Sequence, residues 1–167
     1  MIEDIIEDDL IKWEPYTEKD VVCARFPLGL WHNIAGDINS DKEWCDFVLN
    51  YRNCVRCRIL KKKSNNEAIA MIYLFNEEGC WEKVTVHGGA WGAPLMHYRG
   101  YILMIKHLLS QGVKVRTYCQ LSNTAAIRFD RSVGFVPYRY TEDEVYMWIS
   151  EKKMRNSKLY KRFYSND

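Results

Sequence analysis

Three stretches of this 167-residue chain carry side chains that could do chemistry. Cys54-Val55-Arg56-Cys57 has the two-residue spacing of a zinc or redox pair. No second pair follows, and the surrounding run reads as a strand, on which positions three apart face opposite ways. The spacing therefore supports two small strand residues over a metal site. His87 stands where a strand-like run meets Gly88-Gly89. Its imidazole titrates near neutrality, which makes it the leading candidate for a general base; a hydrogen-bonded histidine at a strand end is the plainer alternative. Glu82, on the same run, is a second base candidate acting through water, against the plainer role of a surface carboxylate. The third stretch is His97-Tyr98-Arg99-Gly100-Tyr101, read as lying just before a helix. There Arg99 offers a fixed cation, Gly100 a close backbone approach, and the helix N-terminus its oriented amides, a combination suited to phosphate. His97 could touch the same phosphate, whereas His32 and His107 read as ordinary histidines. An Arg-Gly pair is also what an ordinary strand-to-helix turn looks like.

The elements that would position these residues can be read from periodicity. Leu10 to Tyr16 alternates as a strand, and Asp41 caps a short helix to about Tyr51. Cys54 to Leu60, Ala68 to Phe75 and Trp81 to His87 form an antiparallel meander, with polar turns between them. Gly88 and Gly89 suit a bulge at its end, and Tyr101 to Ser110 has helical spacing, stopped by Gly112. Val113 to Cys119 is a further strand. Ser122 or Asn123 caps a helix to about Val133, Gly134 ends it, and Phe135 to Tyr140 and Val145 to Ile149 complete the set. The one helical crossover makes the Trp81 and Val113 strands parallel neighbours. The expected fold is α/β (α+β): a mixed, mostly antiparallel twisted sheet with one parallel strand pair and helices on both faces.

Composition sets the outer bounds. A chain with 47% hydrophobic and 14% aromatic residues can bury a core without staples, which excludes coiled-coil, collagen-like and disordered classes. The six cysteines then read as free thiols of a reducing compartment, and the expected location is cytoplasmic. No apolar run approaches the roughly 20 residues of a membrane span. The net charge of +2 conceals a gradient: −5 over the first nine residues, +4 over the last seventeen and +3 between. That leaves too little bulk charge to suggest nucleic acid as a partner. Residues 1–150 read as one domain and 151–167 as a basic aromatic C-terminal tail, a solvated terminal helix.

Asn123-Thr124-Ala125-Ala126-Ile127-Arg128-Phe129-Asp130-Arg131-Ser132-Val133-Gly134-Phe135, flanked by strands, resembles the closing segment of the GCN5-related N-acetyltransferase (GNAT) family. With Tyr98-Arg99-Gly100 and the strand order, the resemblance covers about Leu10 to Ile149. It implies acetyl-CoA held between the two splayed parallel strands, with the pyrophosphate at the start of the crossover helix. By that resemblance Gly88, Gly89, Ala90, Arg99, Gly100 and Tyr101 would cradle the cofactor, Asn123 would contact it, and Ala126 and Phe129 would line its thiol end. Two features depart from the family. Its phosphate loop carries further small residues where this chain has Tyr101, Ile102 and Leu103, and the crossover helix reads as about a turn short. Asp130 also stands where the family often has the tyrosine that protonates the departing thiolate. A solvated aspartate would be a poor acid at neutral pH, burial would raise its pKa, and Tyr138 is an alternative donor.

The implied activity is transfer of an acetyl group from acetyl-CoA to an amine by direct attack, with His87, Asp130 and Glu82 as catalytic candidates and no metal. The acceptor is a small molecule or a peptide amine, and Trp91, Tyr98, Tyr101, Tyr138, Tyr140, Tyr146 and Trp148 surround the two ends of the expected cleft. Two alternatives stand beside it: a non-catalytic protein of the same fold that binds CoA or a partner, and a nucleic-acid-associated module using the basic tail.

Overall fold

The computed structural model describes residues 5–17, 40, 42–43, 46, 55–77, 79–90 and 94–165. The expected helix from Asp41 to Tyr51 falls almost wholly outside these residues, as do Cys23, Cys45, Cys54 and Trp91. Eight strands form one sheet: β1 (Ile6–Glu7), β2 (Ile11–Pro15), β3 (Val55–Lys62), β4 (Ala68–Glu77), β5 (Cys80–Ala90), β6 (Lys114–Gln120), β7 (Val136–Tyr140) and β8 (Glu144–Ile149). Their spatial order is β1-β2-β3-β4-β5-β6-β8-β7, and every pairing is antiparallel except β5 with β6. The two-residue β1 carries no alternation long enough to read from sequence. It exists because the Asp8 carboxylate accepts the amides of Leu10 and Ile11, at 2.8 and 3.2 Å, and closes the turn into β2.

Four helices follow: α1 (Pro94–Ser110), α2 (Thr124–Val133), α3 (Glu151–Asn156) and α4 (Lys158–Tyr164). None of the described helices is long and apolar enough to cross a membrane. α2 is bounded as its sequence predicts, with the Asn123 side chain accepting from the Ala126 amide at 3.2 Å and Gly134 at φ +118° ending it. α1 is a correction. It starts at Pro94 rather than Tyr101 and runs 17 residues, so it is not short, and Arg99, Gly100 and Tyr101 lie within its second turn. Proline is preorganised for the first helical position, which gives this early start its physical reason.

The core lies between the sheet and α1. Trp13, Leu60, Ile72, Leu74, Val84, Val86, Val115 and Met147 face Ile102, Ile105 and Leu108. The opposite face is buried as well at Cys57, Ile59, Met71 and Tyr73. α3 and α4 pack on α1, with Met154, Tyr160 and Tyr164 buried and the lysines exposed. The solvated character expected of the tail holds for one face only. Its aromatic residues are anchors: the Tyr164 hydroxyl donates to Asp8 at 2.8 Å.

Two close approaches seat α1. Gly100 lies where an added Cβ would come within 2.3 Å of the Leu60 side chain, and its carbonyl accepts from Trp13 Nε1 at 2.7 Å. The Tyr101 hydroxyl donates to the Met71 carbonyl at 2.7 Å, reaching it through space that a Cβ on Gly88 would fill, at 1.3 Å from Tyr101 Oη. The expected bulge at Gly88-Gly89 is absent. The β4–β5 register runs unbroken through Ile72↔Gly88 and Met71↔Gly89. Glycine is required at 88 for clearance, so Gly88→Ala should lower stability in urea unfolding by about 1–3 kcal/mol, as overpacking does. In a Tyr101→Leu background the same change should cost less, because the approach to the phenol has gone and only that to the Met71 carbonyl, at 2.7 Å, remains; equal costs in both backgrounds would contradict this packing account.

Candidate active site

β5 and β6 pair over three positions only, Lys83↔Lys114, Val84↔Val115 and Thr85↔Arg116. β5 continues to Ala90 and β6 to Gln120, each held on its outer side by β4 or β8, while their facing edges part. At the crotch of this V a side chain replaces the next backbone bond: Thr117 Oγ1 donates to the Val86 carbonyl at 2.9 Å. Strand alternation then turns the peptide groups of Gly88 toward the same opening. The result is two sheet edges available to an extended, amide-bearing ligand.

The two faces of the opening differ. On the face away from α1, His87 of β5 meets Tyr118 of β6 edge to face at 4.5 Å, and Tyr73 stacks on His87 at 5.8 Å. Burial drives the His87 imidazole down from its usual 6.5 to about 4, so it is neutral across the physiological range. The sequence-based expectation of a base titrating near neutrality is thereby corrected. Glu82 is exposed, lies five residues away, and by strand parity faces the other side of the sheet. The structure does not bring it to His87.

On the α1 face, Asp130 of α2 accepts from the Cys119 thiol at 3.1 Å. Burial raises the Asp130 carboxyl to about 6, partly offset by this hydrogen bond, and pushes the Cys119 thiol up. Asp130 is thus a partly buried aspartate, not a solvated one. Phe129 stacks on Tyr98 at 5.1 Å and meets Tyr101 at 5.4 Å, filling the space between α1 and α2. Ala126 is half-buried and donates its amide to the Asn123 cap. His97 lies in the same cluster, 5.8 Å from Phe129; its Nδ1 is buried without a partner and burial lowers its pKa to about 4.

The phosphate residues expected from sequence are placed differently. The Arg99 guanidinium pairs with Asp8 and lies 5.5 Å over the Tyr164 ring. Burial opposes ionisation of Asp8, but hydrogen bonds from Arg99, Leu10 and Tyr164 outweigh it and hold the carboxyl below its usual range. Arg99 therefore joins the N-terminal hairpin to α1 and α4, and Gly100 is sealed by Leu60. Gly89 pairs with Met71 and Ala90 with Ala70 on β4. The first-turn amides of Leu95 and Met96 are the α1 donors without an acceptor within the helix, Pro94 having none to give. Tyr138 lies on β7 with its hydroxyl 3.4 Å from Arg116, apart from Asp130. Tyr73, Arg116, Thr117 and Tyr118 are cleft residues that the sequence reading missed. Arg116 and Tyr118 alternate with core residues on β6, and that parity was the available signal. Cys57, Cys80 and Cys119 are in no disulfide. Among the described residues no cluster of His, Cys, Asp or Glu could hold a metal ion.

No family model matches this sequence, and no curated protein does. Solved structures do. An acetyltransferase of the GNAT family from Bacillus anthracis superposes with a TM-score of 0.74 at 13% identity, covering 89% of this chain and 99% of that one. A GCN5-related N-acetyltransferase from Brucella melitensis gives 0.75 at 10% identity, over 98% and 85%. The ribosomal alpha-N-protein acetyltransferase RimL in complex with coenzyme A gives 0.65 at 13%, over 87% and 96%. The chain has the GNAT fold, a mixed sheet with one parallel pair.

Burying ionisable groups on both sides of the V couples stability to pH. Asp130 has a raised folded pKa, so its contribution is complete below about pH 4 and is lost as pH rises through about 6. His87 and His97 act oppositely: their contribution is present above pH 6.5 and is lost as pH falls through about 4. Asp130→Asn should therefore raise Tm at pH 8 by about 4–8 °C, corresponding to roughly 2 kcal/mol, and change it little at pH 4. A Tm difference independent of pH in thermal melts would refute the assigned burial.

Proposed function

We propose that the protein transfers an acetyl group from acetyl-CoA to an amine, using the V between β5 and β6 as its centre. One observation supports this most: among the described residues β5 and β6 stop pairing with each other after Thr85↔Arg116, with a neutral imidazole on one side of their parting edges and a raised-pKa carboxyl on the other. The opening suits an extended pantetheine arm, which would take the edge groups of Gly88 as an added strand would. Phosphate would fall to the first-turn amides of Leu95 and Met96, because Arg99 and Gly100 serve the fold.

Acetyl-CoA supplies, when bound, an acetyl group activated as a thioester. The chain's own residues must present a neutral amine, return a proton to the sulfur side and exclude water. His87 is suited to the first task as a hydrogen-bond acceptor. Full proton transfer from an ordinary ammonium to an imidazole at about 4 would be uphill by roughly 8 kcal/mol, so the amine must arrive deprotonated and shed its attacking proton to solvent through the open face. Asp130 is suited to the second task. With its carboxyl at about 6, roughly a tenth is protonated at pH 7, far more than for a solvated aspartate. The carboxyl adjoins β6 on the side opposite His87, so the two proton paths do not compete.

Saturating acetyl-CoA or CoA should raise Tm by about 5–10 °C, the shift for ligand near one hundred times Kd. Thiol release should then appear with an amine panel. No stabilisation would overturn the assignment of the V. Stabilisation without release on any amine would support the non-catalytic alternative, which the structural use of Arg99 favours. Asp130→Asn should lower kcat about a hundredfold and remove an ionisation near pH 6 from the rate profile while CoA stabilisation persists. Unchanged kcat would remove Asp130 from the mechanism.

A further inference from the structure

The outer surface of the helical layer concentrates charge that the chain's total of +2 conceals. α2 exposes Arg128 and Arg131, three residues apart on one helical face. α4 exposes Lys158, Lys161 and Arg162, spaced as a single stripe, while Tyr160 and Tyr164 are buried behind it. Lys152 and Lys153 are exposed on α3. The three helices are neighbours. α4 packs on both α2 and α3, and the end of α2 abuts α3, where a Cβ on Gly134 would come within 2.7 Å of the Lys153 carbonyl. Helices rising about 1.5 Å per residue, with axes about 10 Å apart, spread these cations over a patch roughly 15 by 20 Å.

Little opposes this charge. Among the described residues, none of these side chains makes an ion pair or a side-chain hydrogen bond; Arg162 lies 5.8 Å over the Phe163 ring. Glu151, the exposed carboxylate of α3, is held by Arg155 at 2.9 Å. Asp130 faces inward to Cys119, and Asp8 is engaged by Arg99 and Tyr164. Glu142 and Asp143 belong to the turn between β7 and β8. That turn meets the Leu121 amide ahead of α2, at the end away from Arg131.

The chemistry of the patch separates its possible partners. None of the exposed large hydrophobic side chains among the described residues lies on α2, α3 or α4. A membrane-seated helix needs a free apolar face, and that of α4 is spent on the core. Single-stranded nucleic acid needs rings on which its bases stack, and a tight protein interface needs aromatic anchors at its centre. Readers of duplex RNA add contacts to the 2′-hydroxyls of its minor groove. Ammonium and guanidinium donors alone suit a stiff, regularly charged backbone. Double-helical DNA is one, with a phosphate charge per about 1.7 Å of axis.

We infer that α2, α3 and α4 form a docking face for double-helical DNA, held through its phosphates without reading sequence. This goes beyond the transfer reading and does not depend on it: α2 presents Asp130 to the V and its two arginines to solvent.

Fluorescence anisotropy of the whole protein with a DNA duplex of about two helical turns tests this across 50–200 mM salt, with and without excess CoA. If six of the cations each meet a phosphate, log K should fall against log salt with a slope of about −5, roughly a thousandfold loss over that range. Lys158→Gln/Lys161→Gln/Arg162→Gln should flatten the slope to about −3, and Arg128→Gln/Arg131→Gln to about −4, with thermal melts confirming that each variant folds. Single-stranded DNA of the same length, poly-L-glutamate and phosphatidylserine vesicles should all bind more weakly than the duplex. No binding at 50 mM salt, a slope shallower than about −2, or equal binding by any of those three probes would overturn the assignment. So would tighter binding of a duplex RNA, or release of the DNA by CoA, which would give the patch to the cofactor. The unaltered protein decides the question if a variant fails to fold, and thiol release succeeds or fails separately.

Discussion

The hydrogen bond from the Tyr101 hydroxyl to the Met71 carbonyl is the contact on which the arrangement of this domain depends. It threads from α1 past β5 to β4, and it exists because residue 88 has no side chain. A buried phenol left unpaired would cost about 1–3 kcal/mol, and a Cβ at 88 would force either that loss or a displaced helix. Trp13 meets the same ring edge-on at 5.8 Å and donates to the neighbouring Gly100 carbonyl. The helix is thus keyed to the sheet at two successive residues. That keying fixes where α1 begins relative to the strand edges, and so which amides can face a ligand in the V.

The consequence is a trade between fold and phosphate recognition. In the reading from sequence, Arg99 and Gly100 precede the helix and cradle an anion. Inside the second turn, their amides belong to the helical ladder and their side-chain space belongs to Asp8 and Leu60. The pair Arg99–Asp8, with Tyr164 completing it, ties the first hairpin to the last helix across the full length of the chain. It is partly buried and multiply hydrogen-bonded, so leaving either charge alone there would be costly, which is how a residue suited to phosphate becomes committed to structure.

How much was legible in the sequence follows from the range of each signal. Local signals read correctly: the alternation of β2 and β6, the Asn123 cap, the Gly134 stop and the single crossover that makes β5 and β6 parallel. Signals that depend on a distant partner did not. Gly88 looks like a bulge until Tyr101 is placed beside it, and Arg99 looks like a ligand residue until Asp8, ninety-one positions away, is known to meet it. Pro94 was available as a helix-start signal, but it lies within a glycine-rich passage that reads as loop. For the proposed site, type and position single out His87 and Asp130 in the sequence, but their ionisation is not legible there, because burial is a property of the assembled packing.

The two ionisation shifts belong to one physical design. On opposite faces of the V, burial moves a histidine down to about 4 and an aspartate up to about 6, in each case toward the neutral form. Near neutrality one side of the opening therefore carries no charge, and the other, about nine-tenths ionised at pH 7, exchanges a proton at low cost. In the proposed transfer, attack by an amine on a thioester develops charge of both signs at nearby atoms. The neutral imidazole adds no fixed charge on its face, and the carboxylate's charge lies on the opposite one.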